Sequence, residues 1–187
     1  MPKILIVNSS CRKYSNSNLL SAAVAEGAIQ KGHRVEILDI SSLEIGPCRG
    51  CMGCRKLDAR FCAIADGMSP LYPQIVEADA IIYVSPVYWF NLGGQIKQFI
   101  DRCFAVAMPR KDGSGGFARK KLGLVLAFEG DDPFDSGGIN AIRCLQDICT
   151  YSGAAWGGAV YGTANQEGQM RSNAAALEKA KEFGANL

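Results

Sequence analysis

Among 187 residues there is one histidine, His33. His33 opens a strand-like run, on the edge opposite the strands' carboxyl ends, and that location removes Ser-His-Asp and Cys-His hydrolysis as well as any histidine-rich metal site. Long apolar runs are missing too. No stretch approaches the ~20 residues that cross a bilayer, and the N-terminal MPKILIVNSS has an apolar run too short for a signal peptide and no small-residue cleavage site after it. A cytoplasmic protein is expected. Charge of one sign is also scarce: 20 Lys and Arg face 18 Asp and Glu, a formal net charge of +2. So weak a balance argues by itself neither for nor against nucleic acid, and no nucleic-acid or membrane partner is expected. The pattern G-x-x-x-x-G-K-[ST] is absent, and GSGGFA at 113–118 precedes a strand-like run where a dinucleotide fingerprint needs a strand before it and a helix after. With no repeat and no linker, the length fits one domain over residues 1–187.

What is present is a regular alternation. KILIVN (3–8), HRVEILD (33–39), DAIIYVS (79–85), KLGLVLAF (121–128) and AAWGGAVYG (154–162) read as strands. Their nearly continuous apolar character suits strands covered on both faces, hence a parallel sheet. Helical spacing marks 17–31, through Leu19, Leu20, Ala23, Val24 and Ala28, and also 93–106, 137–152 and 171–184, with a short proline-started helix within 69–78. Five strands and intervening helices make a doubly wound α/β domain, whose ligands bind at the carboxyl ends of the strands. The stretch MPRKDGSGGFARK (108–120) precedes a strand and is expected to be a surface loop at the opposite edge.

Three segments follow strand ends and carry chemistry. NSSCRKYSNSN (8–18) sets hydroxyl and amide side chains and Arg12 before a helix, the makings of a phosphate seat; the plainer reading is a loop in which Ser15 or Ser17 caps the helix. Its place at the first carboxyl end favours phosphate. SPVYWFNLGGQIKQFIDR (85–102) crowds Tyr88, Trp89 and Phe90 into one loop, with Asn91 expected to introduce a helix and Gly93 and Gly94 to allow close approach. Three successive aromatics cannot all face the core, and a planar ligand is their natural partner, although they could equally cover the sheet end or a subunit contact. AFEGDDPFDSGG (127–138) gathers Glu129, Asp131, Asp132 and Asp135 before a helix, where helix-dipole pairing is preferred over acid–base chemistry or magnesium. Backbone N–H groups around Gly130 could still serve a ligand carbonyl.

Eight cysteines in a reducing compartment are expected to be thiols, metal ligands or redox groups. Four follow Cys48-x2-Cys51-x2-Cys54-x7-Cys62. Closely spaced thiolates with a later fourth suit an iron–sulfur cluster. A zinc site usually has two separated pairs, while a Cys-x-x-Cys dithiol, or a low-pKa thiol near Arg49, Arg55 and Lys56, also fits the pattern.

Together these segments resemble the NAD(P)H-dependent FMN reductases of the flavodoxin-like superfamily. SPVYWFNLGGQIKQFIDR is similar to that family's strand-three signature, and PCRGCMGC with a later cysteine and ADGM resembles its iron–sulfur flavoprotein branch; the likeness spans nearly the whole chain and is strongest over 1–105. It implies a five-stranded parallel sheet in the order 2-1-3-4-5. It also implies an FMN phosphate held by Ser9, Arg12, Ser15, Asn16, Ser17 and Asn18, and an isoalloxazine and ribityl chain bordered by Pro86, Val87, Tyr88, Trp89, Phe90 and Asn91. Ala127, Phe128, Glu129 and Gly130 would close the other side. Asn8 stands where relatives often have glycine, and Cys11 and an extra residue leave Arg12 and Lys13 as alternatives at the phosphate. Likewise ADGM replaces the commoner paired aspartates at Asp66.

The resemblance implies no catalytic side chain, since flavin N5 carries the chemistry. NAD(P)H would be the donor, and a quinone, nitroaromatic, flavin or similar small acceptor would take the electrons. The alternative is an iron–sulfur flavoprotein electron carrier, with a [4Fe-4S] cluster on Cys48, Cys51, Cys54 and Cys62 serving a redox protein. In the wider branch the same cysteines look like a substrate-side loop with no cluster. A non-enzymatic flavin- or nucleotide-binding regulator is the third reading. A homodimer or homotetramer is implied, and NADH and NADPH are not distinguished.

Overall fold

The computed structural model describes residues 1–56, 61–109 and 116–187. In chain order the elements are β1 (Lys3–Asn8), α1 (Asn16–Gln30), β2 (Arg34–Asp39), α2 (Tyr72–Glu77), β3 (Ala80–Tyr88), β4 (Asn91–Leu92), α3 (Gly94–Ala107), β5 (Lys121–Phe128), α4 (Gly138–Ser152), β6 (Ala155–Thr163) and α5 (Ala174–Ala185). Five strands run parallel in the order β2-β1-β3-β5-β6; the two-residue β4 folds back antiparallel on the end of β3. Setting β4 aside, this is the expected order.

Burial follows position in the sheet. All six residues of the inner strand β1 and seven of the eight in β5 are buried, whereas the edge strand β2 alternates with exposed residues, Ile37 among them. Because side chains alternate across a strand, Leu5 and Val7 join Tyr83, Phe99 and Leu124 beneath α2, α3 and α4, while Ile4 and Ile6 join Val24, Val84 and Val125 beneath α1 and α5. Two cores, one on each face, hold the sheet.

Helices α1 and α5 cross at glycine. A Cβ at Gly27 would lie 1.9 Å from the Lys181 carbonyl oxygen, and one at Gly184 would lie 2.0 Å from that of Val24.

Three local expectations change. Residues Ser69–Leu71 form a 3-10 turn before α2. A further 3-10 turn occupies Gln169–Ser172, and α5 starts at Ala174, where the Asn173 side chain accepts from Ala176 N–H at 3.1 Å. Asn91 pairs with Tyr88 instead of introducing α3, which begins at Gly94. Residues 110–115, the middle of the expected surface loop and part of the rejected glycine motif, lie outside the described residues, as do 57–60 in the cysteine segment.

Candidate functional site

The carboxyl ends of β1, β3, β5 and β6 open onto one cleft. An inner cavity of ≈160 Å³ sits at the reversal of strand order between β1 and β3. Ser10, Arg12, Ser15, Asn16 and Ser17 form the first wall. Ser15 caps α1 by accepting from Asn18 N–H at 3.3 Å, and its hydroxyl lies 2.9 Å from that of Ser17. By the geometry of a helix start, the N–H groups of Asn16 and Ser17 have no intrahelical partner, so donors, dipole and the exposed Arg12 converge. The Lys13 ammonium is instead 5.3 Å from the centre of the Tyr14 ring.

Two expected phosphate residues are engaged elsewhere. Ser9 donates its hydroxyl to the Val84 carbonyl at 2.7 Å and fastens the loop to β3. Asn16 lines the cavity but also braces it, donating to Gln166 O at 2.8 Å and accepting from Met170 N–H at 3.0 Å. Asn18 does not line the cavity, and the Asn8 and Asn18 amide oxygens are buried without a hydrogen-bond partner.

Pro86, Val87 and Tyr88 make the second wall, and Ala127, Phe128 and Glu129 the third. Gly130 lines an adjoining cavity of ≈190 Å³ that shares Ala164 and Asn165 with the first. Ser10, Ala164 and Asn165 were missed by sequence reasoning; the carboxyl-end rule applied to β6 would have found the latter pair. Trp89 and Phe90 do not line the inner cavity. They form the two-residue turn between β3 and β4, at φ 46° and 65°, with Trp89 93% exposed. Left-handed backbone costs roughly 1–2 kcal/mol per residue outside glycine. The acidic segment is structural at Asp132, whose carboxylate accepts from Phe134 and Asp135 N–H at 2.7 and 3.0 Å.

The donor set fits FMN at its phosphate end: buried hydroxyls, a helix start and one arginine meet in a crevice walled by Tyr88, Val87 and Phe128. A larger cavity of ≈540 Å³ between α3 and α4 is mostly apolar, and among the described residues its one lysine, Lys97, is paired with Asp101 at 2.6 Å. Those residues do not make a phosphate seat.

Among the described residues, one guanidinium ties down the ends of the cysteine segment. Arg102, on α3 and almost fully buried, donates to Gly46 O at 2.8 Å, Ile64 O at 3.3 Å and both oxygens of Asp66 at 2.6 and 3.1 Å. Asp66 also accepts from Gly46 and Met68 N–H at 2.8 and 3.0 Å. Both ends of the segment are thus tied to one point.

Between those ends, Cys48 and Cys51 are exposed and Cys54 and Cys62 half-buried; among the described residues no three His, Cys, Asp or Glu side chains are grouped to hold a metal. The thiols as folded therefore do not present a formed cluster or zinc site. Burial pushes the Cys54 thiol up, and Cys62 adds to this against the opposing pull of Arg55, the reverse of an activated low-pKa thiol.

Burial alone would raise Asp66, but Arg102 and the two N–H donors outweigh it and hold the carboxyl below its ordinary value. Since the folded-state pKa is depressed, the pair's contribution is fully present above about pH 5 and drains as pH falls through the usual ~3.9 toward the lower folded value. Pepsin digestion in that range is expected to cut first within residues 46–66. First cleavage elsewhere would count against the Arg102–Asp66 pair as the anchor of this segment.

The fold is flavodoxin-like. The chain belongs to the NADPH-dependent FMN reductase family, whose family profile matches residues 2–177. It is 36% identical over 129 residues to an iron-sulfur flavoprotein of Methanosarcina thermophila, covering 68% of this chain and 63% of that protein. The chain thus spans less than two thirds of that relative's length. YwqN of Bacillus subtilis (strain 168), provisionally named an NAD(P)H-dependent FMN-containing oxidoreductase, is 27% identical over 179 residues, or 95% of this chain and 94% of its own. The NAD(P)H:quinone oxidoreductase from Methanothermobacter marburgensis has a similar fold, with TM-score 0.75 at 16% identity over 99% of this chain and 98% of that one.

Proposed function

We propose that residues 1–187 form one FMN-binding domain of an NAD(P)H-dependent oxidoreductase, which passes electrons to a quinone, nitroaromatic, flavin or similar acceptor. One observation carries this reading: Ser10, Ser15, Ser17 and Arg12 meet the start of α1 opposite Tyr88 and Phe128. Bound FMN would supply the hydride-accepting and electron-donating chemistry. The chain's own residues then bind and orient. Arg12, Ser15, Ser17 and the first N–H groups of α1 would hold the phosphate, with Ser9 and Asn16 fixing the loop that carries them. Pro86 to Tyr88 and Ala127 to Gly130 would flank the ring system, and the exposed Trp89 and Phe90 would border the mouth where donor and acceptor enter.

A second reading rests on the cysteine spacing and on the name of the Methanosarcina thermophila relative. In it Cys48, Cys51, Cys54 and Cys62 carry a [4Fe-4S] cluster and the partner is a redox protein, which requires the segment to close around the metal. A cytoplasmic setting suits the eight thiols. A homodimer or homotetramer would cover the exposed Trp89 and the apolar groove between α3 and α4.

The deciding measurement is an anaerobic ultraviolet–visible spectrum with iron and zinc analysis of protein purified without a metal-affinity tag. Two resolved flavin bands, bleached by NADPH or NADH, without iron would support the reductase. Broad brown absorption with about four iron atoms per chain would support the cluster. Protein that binds no FMN would sink both. Arg12→Glu, an exposed change, is expected to weaken FMN at least about tenfold, since reversing a charge within several ångströms of phosphate costs over 1.4 kcal/mol even at an effective dielectric near 20. Equal FMN titration curves for the variant and the natural chain would exclude Arg12 from the phosphate seat.

A further inference from the structure

The turn at Trp89 and Phe90 departs from what its residues prefer. Two-residue hairpin loops with positive φ at both positions normally use asparagine, aspartate and glycine. Here two large aromatics adopt φ 46° and 65°. Such a conformation persists only where its surroundings over-determine it.

The surroundings are specific. Pairing of Val87 with Leu92 and Tyr88 with Asn91 closes the hairpin from inside. From outside, Asn140 on the first turn of α4 donates its side-chain N–H to the Phe90 carbonyl at 2.9 Å. Gly137, just before α4, lies flat against the same residue: a Cβ there would stand 2.5 Å from Phe90 Cα and 2.6 Å from its carbonyl oxygen. Gly137 is itself at φ 78°, so glycine is required twice over.

The placement of this clamp matters. The chain that leaves the third wall of the cleft at Glu129 and Gly130 runs directly into Gly137 and Asn140, with Gly130 packed against Ser136. One segment therefore forms one side of the cleft and grips the lip of the opposite side.

We propose that Asn140, assisted by Gly137, is a positioning residue that holds the Trp89–Phe90 lip and through it sets the access of aromatic acceptors. This rests on the FMN reading above. Asn140 touches neither the phosphate cradle nor the inner cavity, so its effect separates from cofactor binding. In Asn140→Asp the shape is kept but the donor is replaced by a carboxylate facing a carbonyl, whereas Asn140→Gln keeps an amide donor on a longer arm.

The test uses the full chain with menadione as probe acceptor. Asn140→Asp is expected to raise the menadione KM about fivefold, the worth of one net hydrogen bond, with kcat and FMN affinity within about twofold of the natural chain. Asn140→Gln should recover most of the KM. A second readout needs no cofactor. In apoprotein carrying Trp156→Phe, Trp89 is the remaining tryptophan of the two, and Asn140→Asp should lower its fluorescence anisotropy.

An Asn140→Asp protein with unchanged KM and anisotropy overturns the proposal while leaving the FMN reading intact. Parallel losses of kcat, FMN affinity and melting temperature would reduce Asn140 to a structural residue and overturn it too. Failure of the natural chain to bind FMN would overturn both.

Discussion

Arg102→Met is expected to cost about 3–5 kcal/mol, the usual penalty for breaking a buried ion pair from one side. The arginine side chain is 1% exposed and its partner Asp66 15%. Methionine would fill much of the volume, but it would leave the Gly46 and Ile64 carbonyls without their donor and Asp66 without its counter-charge. Because the guanidinium joins the two ends of residues 46–66, the damage should concentrate there. Urea denaturation should show the loss of stability, and disulfide-exchange kinetics should show Cys54 and Cys62 reacting faster under native conditions. Arg102→Lys is expected to recover little, since one ammonium cannot reproduce a forked contact with both carboxylate oxygens and two carbonyls. Wild-type thiol kinetics in the methionine variant would mean that the segment is held by something other than this pair.

Gly27→Ala and Gly184→Ala are each expected to destabilise by at least about 3 kcal/mol, at or beyond the upper end of ordinary overpacking. The reason is what the added methyl would meet. Each would collide with a main-chain carbonyl of the facing helix, which has no rotamer to yield, so α1 and α5 must separate. Once either substitution has pushed them apart, the second meets less resistance. The double variant should therefore lose clearly less than the sum of the two singles, a coupling that denaturant midpoints in a double-mutant cycle would reveal. Additive losses would show that the two contacts relax independently. FMN affinity should fall with stability, because α1 carries Ser17, is capped by Ser15 and is braced through Asn16 to the segment ahead of α5.

Much of this architecture is legible in the sequence because its signals are local. The apolar runs KILIVN and KLGLVLAF coincide with β1 and β5, and the serine-rich segment before α1 does form a helix cap and a polar wall. What escapes depends on partners far along the chain or on a change of phase. Ser9 and Ser10 are identical in type, yet their positions after β1 send the first hydroxyl to Val84 and leave the second lining the cavity. Arg102 reads as one of two adjacent charges in QFIDR, and only the fold brings Asp66 beneath it. The turn at Trp89 and Phe90 contradicts local preference, so no pattern of turn residues announces it; its cause is Asn140 and Gly137, some fifty positions later. The cysteine spacing is visible at once, but spacing does not say whether the sulfur atoms meet.

The cleft draws its walls from residue 10 to residue 165, one loop from each of four strands. No single fragment contains two opposing walls together with the cap of α1 and its brace at Gln166 and Met170. On the FMN reading, cofactor uptake would consequently be a late event in folding, available only after β6 has docked on β5. The yellow colour of bound flavin would then report the assembly of all four loops, and a flavin-poor cell would accumulate a protein that is folded but short of its stabilising ligand.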